Sequence, residues 1–328
     1  MLILSAVDVA ALLDLDRLVD VVEAAMIDLS EGRASMPPRV AAAVDERDAI
    51  LVAMPAFLPS AAALTTKLVS LFPRNRDRPT HQALICCFDP DDGMPLAVMD
   101  GAYITAVRTA AGSALATRLL ARRVQRVAVV GTGVQARAHA EAVARLPGVE
   151  VVEIAGRDGS ALESLVATLV DQVGAAGAEV RAAGSVEAAV RVADVVCLAT
   201  HADRPVIERG WLGRGTHVNS VGYNTAGPGE VDQATVRDAM VVVESRAAAL
   251  ASPPAGAVEL RGAVEAGVLD TDHVAELGEV ASGRLPRPPA DTPLTLYKSV
   301  GVAVQDAAAA ALVLRLAREQ GIGTEVEI

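Results

Sequence analysis

Aromatic residues make up only 2% of this 328-residue chain, so its core must be assembled from Ala, Val and Leu. Small side chains of this kind favour helices packed closely on sheets, and their dominance leaves few rings for stacking single-stranded nucleic acid. Basic charge is also in deficit: Lys plus Arg number 29 against 41 Asp plus Glu, a formal net charge of -12. That field would repel a polyphosphate partner, and acidity otherwise speaks mainly to solubility. No run of about eighteen uncharged apolar residues occurs, which argues against a membrane span. The opening MLILSAVDVAALLDLD has no basic leader and meets Asp8 and Asp14 too early for a signal peptide. Cysteine is scarce. Cys86, Cys87 and Cys197 lie in apolar runs without CxxC spacing, as expected of buried, reduced thiols in a cytoplasmic protein. No His/Cys/carboxylate cluster has ligand spacing, so no metal site is expected. The GxSxG setting of a serine nucleophile is missing too.

What is present is a globular composition, 52% hydrophobic and 21% charged, at a length that suits about two domains. Ser5 to Gly32 carries helical periodicity through Leu12, Leu15, Val19, Val22 and Met26 and is expected to form one helix. From Arg39 onward, VAAAV, AILVAMPAFL, ALTTKLVSLF and ALICCFD are short apolar runs between turns, the pattern of an antiparallel sheet. Ile104 to Ala121 reads as a helix. From Arg126 strands alternate with helices, which predicts a parallel, doubly wound sheet covered on both faces. After the PRPPADTP linker, the segment beginning LTLYKSVG is expected to close the chain as one long helix. The expected division is discontinuous: residues 1–120 with 302–328, and residues 121–301.

VAVVGTGVQA places Gly131, Gly133 and Ala136 at GxGxxA spacing between a β-branched strand and a helix. Gly131 permits the tight turn, Gly133 lets backbone approach a pyrophosphate at the helix N-terminus, and Ala136 allows close helix–strand packing. A dinucleotide site is therefore expected. The next strand exits as AGRD. Arg157 there would accommodate a 2′-phosphate and favours NADP(H); Asp158 would accept from a ribose hydroxyl and keeps NAD(H) open, or it caps a helix.

Arg39, Lys67 and Arg108 each stand in an apolar context, where an unpaired cation is costly. They either converge on a substrate carboxylate or decorate amphipathic surfaces, and spacing alone leaves both open. Among the histidines, His81 reads as a polar loop residue, His139 as solvent-facing, and His201 as a group at the start of a loop that could approach a nicotinamide.

These motifs together resemble the ornithine cyclodeaminase/mu-crystallin family, which includes amino-acid dehydrogenases and ketimine reductases. The resemblance runs nearly end to end, through MPPRV, KLVSLFPRN, RPTHQALICCFDPDDGMPLAVMDGAYITAVRTAAGSALATRLLA, VAVVGTGVQA, VNSVGYN, HVAELGEV and LYKSVGVAVQDAAAA with its GIGTEVE tail. It implies a Rossmann domain inserted into a smaller α/β substrate-binding and dimerisation domain, with the active site in the cleft and a homodimer as the assembly. It implies that Arg39, Lys67 and Arg108 hold the substrate carboxylate, with Lys67 also suited to polarising a keto or imino group. Thr80, Arg108, Val134, Gln135, Thr200, Val221 and Ser299 match cofactor contacts, and Val300 a residue lining the substrate pocket. One position departs. Where cyclodeaminase members carry an Asp as general acid/base, VGYN places Asn224, an amide that orients by hydrogen bonds but takes no proton. Loss of a positioned general base costs about 10²–10⁴ in rate. The expectation is therefore an NAD(P)-dependent oxidoreductase interconverting a small L-amino acid and its 2-imino or 2-oxo acid. The alternatives are an ornithine or lysine cyclodeaminase with non-consumed NAD, or a cofactor-binding protein without turnover.

Overall fold

The computed structural model describes residues 1–173, 177–222, 227–252 and 255–327. Its internal contacts divide the chain into two compact units, Met1–Arg108 with Val302–Ile328, and Thr109–Gly301. The second is an insertion in the sequence of the first, and the division falls inside the helix Gly101–Leu120.

The first unit is built on a seven-stranded sheet. Strands β1 (Leu2–Leu4), β2 (Val40–Val44), β3 (Ala49–Leu58), β4 (Ala63–Leu71), β5 (His81–Phe88) and β6 (Pro95–Asp100) are joined by the short strand Thr324–Glu325 from the chain's end. β2 to β6 form an antiparallel meander, and β1 lies parallel to β6. Period-two alternation sorts the side chains: Ala63, Thr65, Lys67 and Val69 of β4 are buried, while Leu64, Thr66 and Leu68 are half-buried. The helix Ala303–Gln320 packs on β3, β4 and β5 and against the helix Leu15–Ser30. The expected single helix from Ser5 to Gly32 is instead two, Ala6–Leu12 and Leu15–Ser30. The break is a capping event: Asp14 leaves the helical conformation, and its carboxylate accepts from Arg17 N at 3.0 Å.

The second unit holds eight parallel strands: β7 (Arg126–Val130), β8 (Val151–Ala155), β9 (Glu179–Ala182), β10 (Val195–Leu198), β11 (Thr216–Ser220), β12 (Met240–Val243), β13 (Ala275–Glu276) and β14 (Leu294–Lys298). Their order is β13-β12-β14-β11-β10-β7-β8-β9. The chain winds outward from β7 to β9, then crosses to β10 on the other edge of β7, which makes the carboxyl ends of β7 and β10 the switch point where Rossmann-type sheets bind ligands. Both faces are apolar. Val127 and Val129 enter one core with Val152 and Ile154, while Ala128 and Val130 enter the other with Val196 and Leu198. Residues 294–298, expected as helix, form the central strand β14; alternating Leu, Thr, Leu, Tyr suits a strand, and Gly301 at φ +73° breaks the chain before the helix begins at Ala303.

His139 does not face solvent. It is fully buried, with Nδ1 2.7 Å from the Gln135 carbonyl and Nε2 2.9 Å from Ser113 Oγ. Burial pushes it down to about 4, so the ring is neutral at ordinary pH: Nδ1–H donates to the carbonyl and Nε2 accepts from the hydroxyl. Its helix, Val134–Val143, buries Ala136, Ala138, Ala140 and Ala142 as well and exposes only the narrow side that carries Val134 and the Arg137–Glu141 ion pair, so alanines that bury as readily as they expose hid the inward direction of His139. Among the described residues no helix is long and apolar enough to cross a membrane.

Candidate active site

In the second unit the candidate residues collect on one edge of the sheet. Gly131 and Gly133 follow β7, Arg157 follows β8, Thr200 follows β10, Val221 follows β11, and Ser299 and Val300 follow β14. These strands are consecutive in the order β14-β11-β10-β7-β8. Gly131 has φ +130°, and a Cβ there would stand 2.4 Å from the Ala199 carbonyl, so no other residue fits. A Cβ at Gly133 would meet nothing within 4 Å. Gly133 caps the helix Val134–Val143 without a side-chain bond, which leaves the first-turn N–H groups open to an anion. Val134 is exposed, and Gln135 presents a buried Oε1 that takes no hydrogen bond. A cradle with open space, unclaimed amides and an orphaned acceptor fits a dinucleotide.

Three buried glutamates, which the sequence did not single out, hold this edge from below. Glu230 accepts from Thr200 N (3.2 Å), Thr200 Oγ1 (2.8 Å), Ser220 Oγ (2.9 Å) and Gly222 N (2.7 Å). Glu244 accepts from Ser299 Oγ (2.6 Å), Val300 N (2.8 Å) and Gly301 N (3.2 Å). Glu259 pairs with Lys298 at 2.9 Å. Such buried carboxylates are tolerated because each is matched to donors. The turn with Tyr223 and Asn224 lies outside the described residues. His201 is exposed beyond the end of β10.

In the first unit, Lys67 points from the inner face of β4 and Arg108 from the helix Gly101–Leu120; they are 3% and 4% exposed. They meet on one carboxylate. Asp306, on the helix Ala303–Gln320, stands 2.7 Å from Lys67 Nζ through Oδ2 and accepts from Arg108 Nε at 3.0 Å through Oδ1. Arg108 Nη1 also donates to Gln305 Oε1 at 3.0 Å. Burial lowers Lys67 to about 8; Asp306 opposes that fall, while the charges of Arg108 and Arg39 add to it. Burial alone would raise Asp306, but Arg108 and Lys67 outweigh it and hold the carboxyl below its usual range. Arg39 is half-buried, and Thr80 is exposed, with its carbonyl accepting from Phe72 N at 2.8 Å. His81 is the first residue of β5 rather than part of a loop, and burial and then the charges of Lys67 and Arg108 push it down. The cluster of Arg39, Lys67, Arg108 and Asp306 is net positive, a setting suited to a small carboxylate. Asp306 escaped the sequence reading although the signal was there: one acid in an otherwise apolar stretch, VAVQDAAAAALVL, raises the same question as the buried cations.

Two of the three cysteines, Cys87 and Cys197, are buried free thiols pushed up to about 12 by burial; Cys86 is half-buried.

Known proteins share this sequence and fold across nearly the whole chain. The ketimine reductase mu-crystallin of Mus musculus is 38% identical over 302 residues, 90% of each chain. The structure of Thermococcus litoralis Delta(1)-pyrroline-2-carboxylate reductase in complex with NADH and L-proline superposes with a TM-score of 0.92 at 34% identity, covering 99% of this chain and 100% of that one. An archaeal alanine dehydrogenase dimer with bound NAD superposes with a TM-score of 0.90 at 31% identity, covering 100% and 99%. The profile of the Ornithine cyclodeaminase/mu-crystallin family matches residues 1–321, and the chain belongs to that family.

Proposed function

We propose that this protein is an NAD(P)-dependent oxidoreductase that interconverts a small L-amino acid and its 2-imino or 2-oxo acid, in the manner of a ketimine reductase or an alanine dehydrogenase. The observation that carries the reading is Lys67, a buried ammonium held 2.7 Å from Asp306 beside the guanidinium fixed on the same carboxylate, with burial lowering its pKa to about 8. At neutral pH it is charged and still able to release its proton, which is what a carbon–nitrogen double bond needs as it accepts hydride. The nicotinamide cofactor supplies or accepts that hydride when bound. Arg39 and Arg108 take the substrate carboxylate, Lys67 polarises and protonates the imino nitrogen, and Val300 lines the pocket. The amide of Asn224 orients substrate or water, and its inability to act as a base weighs against the cyclodeaminase reaction. Gly131, Gly133, Val134, Gln135, Thr200, Val221 and Ser299 hold the cofactor, and Thr80 and Arg108 are the further cofactor contacts implied by the family resemblance.

NADP(H) is the favoured form. Arg157 is exposed and has no partner among the described residues, whereas Asp158 is engaged as a helix cap. A homodimer is the proposed assembly, formed through the outer face of the first unit's sheet.

The test is an absorbance screen with NADH and NADPH in parallel against cyclic imino acids, 2-oxo acid/amine pairs and ornithine. Oxidation of NADPH with an imino acid is expected, and Lys67→Ala should reduce it at least a hundredfold, as for loss of a positioned acid (roughly 10²–10⁴). Ammonia release from ornithine without net change in the cofactor would instead establish a lyase.

A further inference from the structure

The chain has only two lysines, Lys67 and Lys298; the remaining 27 of its 29 Lys plus Arg are arginine. Both lysines are buried, 3% and 1% exposed, and each faces a buried carboxylate. An ammonium offers three N–H donors in a tetrahedral array. Lys298 donates to the Gly222 carbonyl at 2.8 Å and Ser220 Oγ at 3.2 Å and is ion-paired with Glu259 Oε1 at 2.9 Å. Lys67 is ion-paired with Asp306 Oδ2 at 2.7 Å and donates one long hydrogen bond, to Thr105 Oγ1 at 3.4 Å. The Thr105 hydroxyl donates its own hydrogen to the Gly101 carbonyl at 2.7 Å, so its oxygen can only accept from Lys67. The ion pair holds the ammonium in place, and its single long bond leaves N–H capacity open for a substrate group. Arg108 is held in the same way: Nε is fixed by Asp306 and Nη1 by Gln305, and Nη2 has no partner among the described residues. Gln305 is itself fully buried, with Nε2 3.7 Å from Met26 sulfur.

We infer that Asp306 is a positioning residue that holds the ammonium of Lys67 and the open edge of Arg108 toward one substrate carboxylate or imine. This rests on the catalytic role proposed for Lys67. The charged and titratable groups acting on Lys67 come from every side: Arg39 ahead of β2, His81 on β5, Arg108 on the helix Gly101–Leu120 and Asp306 on the C-terminal helix. Three of them are cationic or become so, and Asp306 supplies the negative charge. Without it, three like charges would crowd one buried space, and the ammonium, as the group with a proton to lose, would yield.

Asp306→Asn keeps the shape and removes the charge. Protein labelled with ¹⁵N at the lysine Nζ gives two side-chain signals, and Lys67 is identified by its loss in Lys67→Met. In the wild type the Lys67 signal should titrate near 8. In Asp306→Asn its midpoint should fall by roughly one to three units, as expected on losing an adjacent opposite charge. In parallel, kcat/KM for imine reduction should drop at least tenfold at pH 7.5 and recover in part at pH 6, where Lys67 regains its proton. Asp306→Glu restores the charge on a longer arm, so it should restore the titration but not the rate. An unchanged Lys67 midpoint in folded Asp306→Asn, or lowered thermal stability with an unaltered pH profile, overturns the inference. If the wild type reduces no imine at all, the functional reading falls, while the lysine titration still decides the role of Asp306.

Discussion

Arg157 and Asp158 are neighbours with different obligations. Asp158 Oδ1 accepts from Ala161 N at 3.1 Å and from Ser160 Oγ at 2.9 Å, at the start of the helix Gly159–Val173, and these bonds hold the carboxyl below its ordinary value. A carboxylate used this way is poorly placed to take two ribose hydroxyls, and the exposed guanidinium beside it is suited to a phosphate. Arg157→Ala should therefore raise the KM for NADPH about tenfold or more, in line with hydrogen bonds to charged groups worth ~1.5–3 kcal/mol, and leave the KM for NADH nearly unchanged. Parallel initial-rate titrations with the two cofactors check this; equal losses with both would sink it. Single residues were legible in the sequence where a charge stood in an apolar run. Arg39, Lys67 and Arg108 were visible on that ground, whereas the placement of Asp306 opposite two of them depends on a contact across 239 and 198 residues of chain that no local pattern encodes.

At the level of elements, the strand–turn–helix at Val127–Val143 was readable because backbone rules act locally. The two glycines of its turn have separable jobs. Gly131→Ala would force a Cβ against the Ala199 carbonyl in a left-handed conformation and should destabilise the fold by several kcal/mol, since a strained backbone site alone costs of order 1–3 kcal/mol. Gly133→Ala meets open space at φ -90°, so thermal stability should hold while affinity for the cofactor falls. Differential scanning calorimetry with and without NADPH separates the two variants, and a Gly133→Ala protein that binds normally would remove that glycine from the phosphate cradle. What the sequence hid were elements fixed by distant partners. Residues 294–298 became a strand because β11 and β12 flank them on both sides. Glu230 and Glu244 were unremarkable loop acids until their partners, 30 and 55 residues away, folded onto them.

On the molecular scale, the first unit's sheet has a second face. Ala53, Leu68 and Leu84 stand in register across β3, β4 and β5, as do Phe57, Leu64 and Phe88. All are half-buried or exposed, and Leu84 is 51% exposed. A contiguous apolar sheet face of this kind marks an interaction surface, and a second copy of the same face is self-complementary about a two-fold axis. Leu84→Glu would place two carboxylates near that axis and should convert a dimer to a monomer in analytical ultracentrifugation, with the Lys67 cluster left unaltered. A monomeric wild type would exclude the arrangement.

The near absence of lysine has an experimental consequence. Every cationic side chain at the surface is a guanidinium or an imidazole, and each unit holds one amine side chain in its interior, Lys67 in the first and Lys298 in the second. A lysine-specific endoprotease thus has one cleavage point per unit, and each opens only when its own unit does. The rates of the two cuts read out two separate opening equilibria in a single digest, with no label introduced.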